Sequence, residues 1–119
     1  MPRKIEMTLN GVPFLEHAEV AESMIDRMRG LLGRDGLPPR QGLLIMPCSS
    51  IHMFGMKFAI DAIFHDRDGR VVRVVRDIKP WTPMVAGGFG AHSTLEVAAG
   101  WLPDDAIKVG DQIVWRYAG

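Results

Sequence analysis

The chain opens on strict alternation. In Lys4-Ile5-Glu6-Met7-Thr8-Leu9 the apolar positions Ile5, Met7 and Leu9 share one face and Lys4, Glu6 and Thr8 the other, which is the period of a strand buried on one side. Asn10-Gly11 supplies residues that accept the positive φ of a tight hairpin. Phe14 to Val20 is therefore expected to return as a second strand, with Leu15, His17 and Glu19 on one face. The period then changes. Met24, Met28 and Leu31 recur at helical spacing beside Ile25 and Leu32. Ser23 is placed to cap such a helix and Asp26 lies near its positive end. The methionine stripe is expected to fill the core, and Gly33 to Gln41 to end the helix in a loop.

Continuous apolar runs take over in the middle of the chain. Gly42 to Met46, stopped by Pro47, and Phe58 to Asp66 read as strands buried on both faces. Asp66-Arg67-Asp68-Gly69 is turn chemistry that leads into a strand over Val71 to Ile78. Lys79 to Ala91, with two prolines and three glycines, is a long loop. Ser93 to Ala98 is a further strand, Trp101 to Ala106 a helical turn, and Asp111 to Tyr117 a closing strand with Ile113, Trp115 and Tyr117 on one face. About seven short strands and one helix predict an α+β fold, mainly antiparallel β, arranged as a curved sheet or small barrel.

Length and charge narrow the function classes. A chain of 119 residues is expected to form a single domain over 1–119, burying about two-thirds of the surface its unfolded form exposes. Fourteen basic residues balance fourteen acidic ones, so the broad electrostatic attraction of nucleic-acid or anionic-membrane binders is missing. The single cysteine, Cys48, cannot form an internal disulfide. No apolar run approaches a membrane span, and Met1 to Met7 has no signal-peptide core. As it stands the sequence predicts a cytoplasmic protein; removal of a signal peptide would make it an exported one.

Candidate chemistry is concentrated between Cys48 and Asp61. Cys48, His52 and Met56 recur at intervals of four and are residue types that suit copper or zinc. Pro47 and the flanking strands make this segment a loop rather than a helical face, so the spacing does not aim all three inward. Cys48 with His52 as base is the corresponding enzyme reading. Asp61 and Glu96 each interrupt an apolar strand, where a carboxylate must be hydrogen-bonded, paired or aimed into a cleft. A structural role is expected for both, Asp61 accepting from backbone amides or from Arg29 or Arg34, and Glu96 from Lys108 or Arg73. Arg67, Arg70, Arg73, Arg76 and Lys79 form a basic ribbon that reads as protection of a sheet edge.

The order Arg29-Gly-Leu-Leu-Gly-Arg34, Gly42-Leu-Leu-Ile45, Ile51-His-Met-Phe-Gly-Met-Lys-Phe-Ala-Ile-Asp61, Asp68-Gly-Arg-Val-Val72, Leu95-Glu-Val-Ala-Ala-Gly100 and Val109-Gly-Asp111 resembles the domain of unknown function 192 family of prokaryotes. The resemblance covers nearly the whole chain. It implies a mainly β fold with one helix and carries no established activity. Many relatives have Trp-Met where this chain has His52-Met53, so His52 chemistry is not implied for the family, and some relatives look exported.

These readings converge on a small accessory domain that binds a small molecule or a protein partner. Its cleft is expected between the 48–61 segment and the 79–92 loop, lined by Cys48, His52, Met53, Phe54, Asp61, Trp81, Phe89 and His92. Pro80 and Pro83 would present Trp81 from a stiff arm. No cofactor and no metal are expected. The alternatives are an enzyme using Cys48 and His52 or Asp61 and Glu96, and a metal-handling protein using Cys48, His52 and Met56.

Overall fold

A computed structural model describes residues 1–119. In chain order the elements are β1 (Arg3–Leu9), β2 (Val12–Pro13), β3 (His17–Ala21), α1 (Met24–Arg29), β4 (Gln41–Ile45), β5 (Ser50–Ile51), β6 (Ile60–His65), β7 (Val71–Ile78), β8 (Val85–Ala86), β9 (Ser93–Ala98) and β10 (Ile113–Tyr117). The main sheet runs β10-β1-β3-β4-β9-β6-β7, with β2 beside β1, and β5 and β8 pair separately. The predicted α+β class with a curved, mainly antiparallel sheet is the observed one. Only β3 and β4 run parallel, joined by the connection that holds α1.

The sheet curls into a half-barrel because its two ends meet at one rim. Val71 N–H donates to the Asp111 carbonyl at 2.8 Å and Ile113 N–H to that of Gly69 at 2.8 Å. Gly69 has φ +85°, and a Cβ there would run into the Ile113 carbonyl, so this approach of the edges requires glycine. Cores form on both faces of the central strands. Leu44, Ile63, Leu95 and Val97 belong to one, and Leu43, Ile45, Ala62 and Phe64 to the other. No helix is long and apolar enough to cross a membrane.

The first return strand is split. Asn10 and Gly11 take the expected positive φ and β2 closes the hairpin, but Pro13 has no N–H to continue a ladder. The amides of Glu16 and His17 both turn to the Arg40 carbonyl, at 3.0 and 3.2 Å, and the chain re-enters as β3. Trp101 to Ala106 makes one hydrogen-bonded turn, Ala106 N–H to the Pro103 carbonyl, and no helix.

The methionine stripe is a correction. Met24, Ile25 and Met28 are exposed, and no residue of α1 is buried. The apolar spacing runs past the end of the helix: Gly30, at φ 50° and ψ −125°, breaks the helical phase, so Leu31 reaches the core from outside α1. The side of α1 turned toward the fold is polar. Asp26 meets the chain's N-terminal ammonium at 3.2 Å, and Arg27 donates to the Glu22 and Pro47 carbonyls.

Asp61 is paired, by a different partner from those expected. The β6–β7 register shifts between Ile60↔Ile78 and Ala62↔Val75, a bulge that leaves the Asp77 amide without a ladder partner. The buried Asp61 carboxylate accepts from that amide at 2.8 Å and from Arg76 at 3.4 Å. Arg76 also donates to the carbonyls of Leu102 and Pro103, while Arg34 pairs with Glu19. Two more members of the basic ribbon tie loops along the β7 edge, Arg70 to the Gly110 carbonyl and Arg73 to that of Ala86, while Lys79 pairs with Asp77. Asp61→Ala is expected to lower the unfolding free energy in urea by about 1 to 3 kcal/mol. The cost stays in that range because Arg76 keeps its carbonyl acceptors. An unchanged midpoint would show that Asp61 does not hold the bulge.

Candidate functional site

Period-two geometry sends neighbouring residues of β9 to opposite faces. Leu95 and Val97 enter one core, and Glu96 points to the other face, beside Leu43 of β4 and Ala62 of β6. Asp61, opposite Val97, lies on the face away from Glu96, so these two carboxylates cannot work as an acid and base pair. Neither Lys108 nor Arg73 pairs with Glu96; Arg73 donates instead to the Ala86 carbonyl.

Glu96 is only 5% exposed, and no donor reaches its oxygens. It closes the floor of a cavity of about 90 Å³ lined also by Arg27 to Leu32, Ile45, Cys48, Ser50, Ile51, His52 and Met56. Gly30 lies against the carboxyl: a Cβ there would stand 3.9 Å from Glu96 Oε1. Burial alone lifts the Glu96 carboxyl from 4.5 to about 7. A group that loses hydration and gains no hydrogen bond favours its neutral form.

Cys48 and His52 share this cavity, each turned toward backbone. Cys48 Sγ donates to the Ser50 carbonyl at 3.1 Å. Burial pushes its thiol up, and the Glu96 charge acts in the same direction, the reverse of what an activated nucleophile needs. The Phe54 amide donates to His52 Nδ1 at 3.2 Å. The Nδ1 lone pair is therefore in use, and in the neutral ring Nε2 carries the proton. Such a ring donates from Nε2; it offers no free lone pair there to a metal or to the Cys48 thiol.

The 48–61 segment and the 79–92 loop do not stand apart as two walls. They are joined edge to edge: Ser50 pairs with Ala86 and Ile51 with Val85, and Met53 exchanges bonds with Thr82 and Trp81, each at 2.8 Å. Two adjoining extended segments satisfy each other's amides better than a gap would. The expected residues disperse accordingly. Met53 is in the core. Phe54 and Trp81 lie on the surface beside the cleft, His52 to Phe54 ring centroids 5.4 Å apart and Phe54 to Trp81 6.3 Å. Phe89 is fully exposed at a turn. His92 lines a separate cavity with His65, and Asp61 serves the bulge. The wall from Arg27 to Leu32 had no signal in the sequence beyond the glycine that ends α1.

Two expectations follow for stability. Neutral Glu96 contributes stability that is complete below pH 4.5 and is lost as pH rises to about 7, because across that interval the unfolded state binds fewer protons. At about 1.4 kcal/mol per pH unit the loss is roughly 3 kcal/mol. Glu96→Gln is expected to remove it, so unfolding free energies of the two proteins should diverge between about pH 5 and pH 8, with the variant more stable at the upper end. Parallel curves would mean that the carboxyl is solvated or paired. Trp81 is 65% exposed, so Trp81→Ala should cost under about 1 kcal/mol, not the ~3 to 5 of a buried aromatic. Thermal melts of the pair distinguish the two.

Comparison with known proteins places this arrangement in a family. A UPF0127 protein of Thermococcus sibiricus is 33% identical over 106 residues, which cover 82% of this chain and 65% of that protein, so the match spans less than two-thirds of the relative's length. A Novosphingobium aromaticivorans protein of unknown function has a crystal structure of the same fold, with a TM-score of 0.81, 21% identity, and coverage of 96% of this chain and 85% of that one. A Sinorhizobium meliloti protein, named as a proposed transcription regulator, superimposes with a TM-score of 0.77 at 17% identity, covering 97% and 94%. The profile of the domain of unknown function 192 family, described as an uncharacterized ACR, matches residues 5–115, and the chain belongs to that family.

Proposed function

We propose that the chain is a binding domain whose cleft between α1 and the 48–56 segment takes the cationic or N–H-donating end of an otherwise apolar ligand. The observation that carries this reading is Glu96, a buried carboxyl with no hydrogen-bond donor at the floor of a cleft. Leaving such a group unmet is costly, and an incoming donor removes the cost. An ammonium supplies both the hydrogen bonds and the opposite charge.

The surroundings fit the apolar remainder of the ligand. A volume of about 90 Å³ holds a head group of a few heavy atoms, so the rest must lie over the rim. Met28, Phe54 and Trp81 are exposed there or close by. Flexible thioethers and aromatic faces adapt to varied apolar shapes and attract cations. Cys48 and His52, both turned to backbone, serve this reading as lining.

Titration with n-butylammonium at about pH 8, followed by amide NMR shifts, tests it. Saturable shifts are expected at Gly30, Ser50 and His52 with a dissociation constant on the order of millimolar. They should be absent in Glu96→Gln and much weaker with n-butanol. Equal responses to the alcohol, or an unchanged response in Glu96→Gln, would remove the carboxylate from the site.

A further inference from the structure

A second cavity, of about 210 Å³, lies on the other face of the sheet from Glu96, where β4 and β6 end and β9 begins. Met46, His65 and His92 line it, with Asp66 to Gly69 and Ile113 to Trp115. The three strand ends are held in register: His92 N–H donates to the His65 carbonyl at 2.8 Å, and Cys48 N–H to the His92 carbonyl at 2.7 Å. Side chains presented from here stand on fixed backbone.

His65 is 3% exposed. Its Nδ1 lies 2.9 Å from the Asp66 carbonyl, and a carbonyl only accepts, so Nδ1 carries the proton. Nε2 is then a bare lone pair, and it is buried with no hydrogen-bond partner. His92 Nδ1 lies 2.8 Å from Ser93 Oγ; with the hydroxyl accepting, Nδ1 carries the proton and Nε2 presents a free lone pair. An imidazole fixed through one nitrogen by a carbonyl or hydroxyl, with the other unengaged, is the arrangement of a metal-bound histidine. The sulfur of Met46 adds a soft donor on the same cavity. The Asp66 carboxylate is occupied by the amides of Asp68 and Arg70 and is not counted as a ligand.

We propose that His65 Nε2, His92 Nε2 and Met46 Sδ form a binding site for a copper ion in its monovalent state. Two imidazoles and a thioether are a soft, uncharged donor set of low coordination number, which favours Cu(I) over zinc or magnesium. A single positive charge is also less costly than a double one to place against a buried imidazole such as His65. The site stands apart from the Glu96 cleft and is independent of its reading.

Anaerobic titration of the purified chain with Cu(I) against a chromogenic chelator tests the assignment. One ion per chain is expected in the wild type. Affinity should be retained in the Cys48→Ser, His52→Ala double variant, fall about 100-fold in His92→Ala, and fall less in Met46→Leu. His92 and Met46 are each only partly buried, so these variants do not depend on the fold tolerating a change at His65; circular dichroism confirms that they fold. Zn(II) should bind more weakly than Cu(I). Loss of binding in the double variant would move the metal to the other cleft and overturn the proposal. Unchanged affinity in His92→Ala, or no binding by the wild type, would overturn it as well.

Discussion

Two neighbouring strands, β6 buried throughout and β9 buried up to Val97, set what every polar residue near the centre of the sheet can do. Each is covered on both faces, so a carboxyl or imidazole on either strand must leave water whichever way it points. Alternation then fixes the direction. Asp61, Ile63 and His65 face one side with Leu95 and Val97, while Ala62, Phe64 and Glu96 face the other. A one-residue slip would exchange all of them. Pairing of β6 to β7 on one side and of β4 to β9 on the other prevents it.

The two buried carboxyls, equivalent in the sequence, have opposite fates for local reasons. Asp61 sits beside a β-bulge, where a spare amide and the Arg76 guanidinium lie within reach, and its charge is satisfied. Glu96 sits in regular pairing, where neighbouring amides are already used in the ladder, and although Arg27 and Arg29 line the same cavity, neither pairs with it. Its remaining outlet is the cleft beneath Gly30. One group therefore ties β7 and the 102–103 turn to the sheet, and the other keeps an unmet hydrogen-bonding capacity at a surface opening. The balanced net charge of the chain fits a site whose selectivity rests on one desolvated group rather than on a broad field.

Much of the fold was legible because its signals are local. The alternation of β1, the Asn10-Gly11 turn, and the spans Val71 to Ile78 and Ser93 to Ala98 all follow from side-chain period and turn chemistry. The facing of α1 did not follow, since Gly30 breaks the phase and the polar contacts of Asp26 and Arg27 are made with distant parts of the chain. The site was legible in part. Cys48 and His52 do lie on one cavity, and Glu96 stood out as a carboxyl in an apolar strand. Its missing partner, and the backbone pairing that joins the 48–61 segment to the 79–92 loop, depend on long-range register. His65 gave no signal because a histidine at a strand end looks like any other until its second nitrogen proves unpartnered.

Glu96 is buried on the cleft with no hydrogen-bond donor from the protein. Side-chain carboxyl ¹³C shifts of the glutamates, with Glu96 assigned by substitution, measure this directly as a function of pH. A midpoint near 7 is expected for Glu96, well above the ordinary value of 4.5. A Glu96 midpoint near 4.5 would show that water or an unrecognised donor already satisfies the carboxyl, and would contradict the account.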